Sequence, residues 1–111
     1  MEPIERRVEY YHTASGRVPY WEWRKSLSDS KTRAIIDSRI ARLRAGNFGY
    51  CASVGEGVLE LKIIYGSGFR IYFGQIGSGF VLLLIGGDKA TQNKDIRKAK
   101  VFWKDYQARN L

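Results

Sequence analysis

VLELKIIYGSGFRIYFGQIGSGFVLLLIGGD, residues 58–88, decides the fold. It divides into three runs of strand length, VLELKII, FRIYFGQI and FVLLLIGG, separated by YGSG and GSG. The runs are rich in β-branched and aromatic residues, and the Gly/Ser breaks supply turn chemistry, so the stretch predicts an antiparallel three-strand meander. Side chains alternate along a strand, so Leu59, Leu61 and Ile63 share one face while Glu60 and Lys62 share the other. In the second run Phe69, Ile71 and Phe73 form the apolar set, leaving Arg70 and Tyr72 opposite. One face therefore reads as core and the other as a charged face. A three-residue loop at Gly66, Ser67 and Gly68 would pair Tyr65 with Phe69, Ile64 with Arg70 and Lys62 with Tyr72. Lys62 and Arg70 would then be diagonal neighbours, roughly 7 to 8 Å apart.

Upstream, Ile4 to His12 alternates loosely and predicts an edge strand. Pro19 followed by YWEWRKSL predicts a short helix with Pro in its first turn. Ser28 or Ser30 then offers an N-cap for KTRAIIDSRIARLRAG, where Ile36, Ile40 and Leu43 recur at helical spacing and Gly46 is the stop signal. Downstream, Thr91 is the expected cap of QNKDIRKAKVFWKDYQ, whose Ile96, Ala99, Phe102 or Trp103 and Tyr106 form an apolar stripe beside basic residues. The fold class is α+β. A small antiparallel-rich sheet, made of the N-terminal strand and the C-terminal meander, carries two N-terminal helices on one face and a C-terminal helix.

A length of 111 residues fits one domain, residues 1–111, and leaves no room for a second, cofactor-binding fold. The formal net charge is +8, and it is unevenly placed. Residues 28–50 carry five basic and two acidic side chains and residues 88–111 seven and three, whereas residues 51–87 carry two of each. Polyanions are the partners such a balance favours. Cys51 is the sole cysteine and His12 the sole histidine, so one chain can assemble neither a disulfide framework nor a structural zinc site. A reducing cytoplasm suits that composition. No run approaches the ~20 apolar residues of a membrane span, and MEPIERRVEYY lacks the apolar core of a secretion signal.

Lys62, Arg70 and Tyr72 on an otherwise apolar hairpin suit a phosphate, which an Arg fork can grip in two places at once. Gly86, Gly87, Asp88 and Lys89 lead from a strand into a helix start, a place where backbone N–H groups and the helix dipole favour an anion. No GxxxxGK[ST] is present, so this is not a nucleoside-triphosphate loop. His12 and Cys51 read as ordinary surface and semi-buried residues. The Tyr20, Trp21 and Trp23 cluster reads as core rather than as a base-stacking platform.

The stretch from Val58 to Trp103, with ELK, YGSGFRIYF, LLLIGGDKATQ and a Lys-rich terminal helix carrying a Trp, closely resembles the C-terminal half of the RelE/ParE toxin superfamily, in its HigB-like branch of addiction-module killer proteins. The resemblance implies metal-independent, cofactor-free cleavage of messenger RNA on the ribosome. It also implies inhibition by a cognate antitoxin, commonly a helix-turn-helix protein from the same operon. Lys62 matches the family's strand lysine, Arg70 the arginine after the glycine-aromatic pair, and Lys89 the basic residue after the last strand. Glu60 stands where RelE has a further lysine, and ATQNKDI offers no tyrosine or histidine near the final helix, which leaves the general acid and base unassigned. The catalytic set is therefore Lys62, Arg70, Lys89 and Glu60, with Glu60 orienting Lys62 or acting as base. Tyr72, Lys94, Arg97 and Lys98 are expected to bind substrate. Two other readings stand beside the nuclease: a non-catalytic RNA-binding module and a ParE-like gyrase poison. Lys62 and Arg70, on a charged face, are expected to be dispensable for folding, and Phe73 to be core.

Overall fold

A computed structural model describes residues 5–110 of the chain. Strand β1 (Arg7–Tyr10) is followed by α1 (Pro19–Ser26) and α2 (Ser30–Arg44). Then come β2 (Cys51–Gly55), β3 (Val58–Ile63), β4 (Phe69–Ile76) and β5 (Phe80–Asp88), a short 3-10 turn over Lys89–Thr91, and α3 (Gln92–Arg109). The strands form one sheet in the order β1-β5-β4-β3-β2, antiparallel throughout except that β1 lies parallel to β5.

The expected α+β architecture is present, with the meander at its centre. The edge strand is shorter than expected. Ile4 lies outside the described residues, and after Tyr11, whose N–H still reaches Leu83 O, the chain turns away through Thr13–Arg17. Strand β2 was not anticipated, because CASVG has neither the alternation nor the bulk of its neighbours and stays largely exposed at the sheet edge.

Local chemistry sets the helix ends. Asp29 caps α2, its carboxylate accepting from the N–H groups of Lys31 and Thr32, whereas Ser28 or Ser30 had been expected. Ser30 is the first helical residue. Gly46 ends α2 as expected: at φ +92° it takes the left-handed conformation, Gly46 N–H donates to Leu43 O and Asn47 N–H to Arg42 O. Thr91 stands at the N-cap position of α3 as expected, but its side chain accepts no cap hydrogen bond there; Asp88 caps the 3-10 turn just before it, with its carboxylate on the N–H groups of Ala90 and Thr91. The Thr91 hydroxyl instead donates to Asp95.

The sheet has a core on each face. On one side α1 and α2 pack Tyr20, Ile36, Ile40 and Leu43 against Leu61, Ile63, Ile71, Phe73, Val81 and Leu83. On the other, α3 packs Ala99 and Trp103 against Val58, Tyr72, Leu82, Leu84 and Ile85. The face expected to be charged and solvated is thus mostly a second apolar core. A bulge in β5 between the Tyr72–Ile85 and Phe73–Leu83 pairs lets Leu84 and Ile85 both serve that second core.

The β3–β4 register also differs from expectation. Ile63 pairs with Phe69, Lys62 with Arg70 and Glu60 with Tyr72. Ile64–Gly68 form the loop, in which Gly66 and Gly68 have φ of +56° and +80°. The shift is two residues along the ladder, so every side chain keeps its face. Its consequence is chemical: Lys62 and Arg70 are direct cross-strand neighbours instead of diagonal ones.

Candidate functional site

The polar end of the α3-side face lies where the β3–β4 loop meets the first turn of α3. Its centre is Arg70, only 6% exposed. The Arg70 guanidinium donates from Nη1 to Gly68 O at 2.7 Å. Its Nε lies 3.8 Å from Glu60 Oε2, close enough for an ion pair but without a hydrogen bond. Glu60, 7% exposed, is itself held on both sides. Its Oε2 accepts from the Tyr72 hydroxyl at 3.0 Å and from Gln92 Nε2 at 2.9 Å. A buried carboxylate with two neutral donors and one cation is well compensated, and a buried guanidinium seated on it has little freedom to move.

Tyr72 is fully buried. Burial first, and the neighbouring Glu60 carboxylate second, push its phenol well above the ordinary range. It is placed to hold Glu60 and not, as expected, to touch a substrate. Glu60 likewise braces Arg70; among the described residues it makes no ion pair with Lys62, the partner expected for it. Lys62 is exposed, with no side-chain hydrogen bond or ion pair among the described residues. Lys89 is exposed at the end of β5, and Gly68 is wedged between it and Arg70: a Cβ added there would meet Arg70 Nη1 at 3.3 Å and Lys89 Cβ at 4.0 Å. Lys62, across the ladder from Arg70, and Lys89, across Gly68 from it, thus start from backbone positions on either side of Arg70, and Glu60 pairs with the Arg70 guanidinium.

The remaining basic residues expected to bind substrate lie along α3, and two of them share a hollow with Lys89. Lys94 and Arg97 line a hollow of about 370 Å³ with Lys89 over the start of α3. Lys94 and Lys98 also line a larger cleft of about 700 Å³ between α1 and α3, over the end of β5. Gly86 and Gly87, read as an anion-binding turn, are strand residues opposite Ile71 and Arg70. Their lack of side chains serves packing: a Cβ would fall 2.2 Å from the Trp23 ring at Gly86 and 1.8 Å from Asp95 Oδ2 at Gly87. The N–H groups at the following turn are taken by Asp88.

Gln92 is the member of this cluster that the sequence did not point to. It is 32 positions from Glu60 and carries no charge, so only the docking of α3 reveals it. Acid-base candidates elsewhere are poor. The half-buried Cys51 thiol is pushed up to about 11 by desolvation, which leaves it inert at neutral pH. The His12 carbonyl is bonded by Arg109 in the last turn of α3, whereas Glu60 meets Gln92 at the first residue of the same helix. That helix of 18 residues runs roughly 27 Å. Among the described residues no group of three or more His, Cys, Asp or Glu is gathered as metal ligands. No helix among them is long and apolar enough to cross a membrane.

Fold and site together define a small α+β protein with helices on both sheet faces and a braced arginine between two exposed lysines. No family model matches the chain. It is 46% identical over 79 residues to an uncharacterised protein of Haemophilus influenzae, a match spanning 71% of this chain and 80% of that protein. The chain belongs to the same family as that protein.

Proposed function

We propose that the chain is the toxin of a type II toxin–antitoxin module, on the HigB-like branch of the RelE/ParE superfamily, and that it cleaves messenger RNA in the ribosomal A site. The observation that carries this reading is the placement of Lys62 and Lys89 on either side of Arg70, with Arg70 fixed by Glu60 and the Gly68 carbonyl. In the proposed reaction the ribose 2′-hydroxyl loses its proton and attacks the adjacent phosphorus. The 5′-oxygen of the next nucleotide leaves and takes up a proton. Arg70 Nη2, which has no hydrogen-bond partner among the described residues and is not among its buried unpartnered atoms, is the guanidinium edge available to the pentavalent phosphate. Lys62 and Lys89 flank the same charge. Preorganised cations of this kind stabilise a transition state without moving protons.

Proton transfer is the weak half of the site. A self-sufficient ribonuclease uses groups titrating near neutrality, each worth about 10² to 10⁴ in rate. Cys51 and Tyr72 titrate far above that range, and His12 lies at the other end of α3. Catalysis then leans on substrate orientation, which a ribosome holding a bent message supplies. The protein is therefore expected to cut message on programmed ribosomes and to leave the same naked message nearly intact. Equal rates on both would overturn that mechanism. The same lack of an acid-base pair favours a second reading, an RNA-binding module without activity; mapping 5′ ends in a translating extract then finds no new ends. Accumulated gyrase–plasmid cleavage complexes, with message intact, would instead mark a gyrase poison. The cytoplasm is where each of these targets lies.

A further inference from the structure

Two large apolar side chains stand out of the surface next to the cations just described. Tyr50 is 67% exposed and Ile64 73% exposed. The Lys62 N–H donates to Tyr50 O at 2.9 Å, which extends the β2–β3 ladder by one step and sets Tyr50 opposite Lys62. Because Lys62 is in turn opposite Arg70, one row runs across the sheet from Tyr50 through Lys62 to Arg70, all on one face. Ile64, the first loop residue after β3, lies beside them. Tyr50, Ile64, Lys62, Glu60, Cys51 and Ala52 line a shallow hollow of about 440 Å³.

Among the described residues the Tyr50 ring stacks on no other ring, and its hydroxyl makes no hydrogen bond. Other aromatics pack onto the core, as Tyr10, Tyr20, Trp21 and Trp23 do. A free aromatic face on the same row as two phosphate-seeking cations matches the alternation of base and phosphate in a single strand. Tyr50 and Arg70 sit two strand spacings apart, about 10 Å, a span that one or two nucleotides bridge.

We infer that Tyr50, with Ile64 beside it, is a stacking platform for a nucleobase of single-stranded RNA, and that it seats the strand so that a neighbouring phosphate lies over Lys62 and Arg70. The inference rests on the RNA reading of the site. Stacking on an aromatic face tolerates any base, so the platform positions the strand without choosing its sequence.

Fluorescence anisotropy with labelled single-stranded RNA at low salt tests it, using the full chain. Tyr50→Ala is expected to weaken binding roughly 5- to 100-fold, and Tyr50→Phe and Tyr50→Trp to retain it, because only the ring is needed. An oligonucleotide made abasic at successive positions should lose the same factor against the parent protein at one position, and nothing further against Tyr50→Ala. If Tyr50→Ala binds like the parent while Lys62→Ala binds poorly, the platform is wrong and the RNA reading stands. If the parent protein itself fails to bind, the platform is wrong, and cleavage on programmed ribosomes decides the RNA reading separately. A Tyr50→Ala effect confined to self-association in sedimentation, with RNA affinity unchanged, would mark a protein contact and overturn the inference.

Discussion

At the scale of single residues, Lys62 and Arg70 are neighbours with opposite energetics. Lys62 is exposed and unpaired among the described residues, so Lys62→Ala should leave stability within about 0.5 kcal/mol of the parent. Its loss from a phosphate site should still lower the cleavage rate by about 10² to 10³. Growth arrest at parental strength by a folded Lys62→Ala protein would remove Lys62 from the site. Arg70 is different: truncating it strands the Glu60 carboxylate among buried groups, which typically costs about 3 to 5 kcal/mol. Arg70→Ala is thus expected to lose both stability and activity, not activity alone. Replacing the pair together, Arg70→Met with Glu60→Leu, removes the stranded charge. That double variant should recover part of the stability in urea titrations, short of the parent because the buried Tyr72 hydroxyl loses its acceptor, while remaining inactive. An Arg70→Ala protein as stable as the parent would show that the ion pair contributes nothing to the fold.

Elements obey simpler rules. Phe73 lies fully buried between β4 and the α1–α2 layer, so Phe73→Ala should cost roughly 3 to 5 kcal/mol in equilibrium unfolding. The Asp29 cap carries a pH signature. Its carboxyl is lowered below the ordinary range, first by the Thr32 hydroxyl and then by the backbone N–H groups it accepts from. A depressed carboxyl contributes stability above its unfolded pKa and loses that contribution as pH falls through its folded pKa. Asp29→Ala should therefore be less stable than the parent at neutral pH, with the gap narrowing below about pH 4. Helices α1, α2 and α3 and strands β3 to β5 were legible from periodicity and turn residues. Caps were less so, because Ser28, Asp29 and Ser30 are all capping residue types and only geometry selects among them. Lys62 and Arg70 were legible as residue types on strands of known face, and Lys89 as the basic residue after the last strand. Their exact pairing was not, since loops of three and five residues both fit the glycines, and neither was Gln92, which joins Glu60 only through tertiary docking.

For the whole molecule, the +8 charge calls for a counterpart. An antitoxin from the same operon is expected to present an acidic segment, and its capture should slow markedly as salt rises, because opposite charge steers encounter. Pull-down of a partner with a basic contact surface, or of none, would count against it. The parallel pairing of β1 with β5 has a consequence of another kind. Arg7–Tyr10 leave the synthesising ribosome early, while their partners Phe80–Leu83 leave late, and Gln92 later still. Such distant pairings are slow to close, and they keep the sheet incomplete while most of the chain is already outside. A nascent chain truncated before Phe80 should accordingly be digested readily by protease, and if the finished protein acts on ribosomes as proposed, birth order alone shields the machine that makes it until synthesis is nearly done.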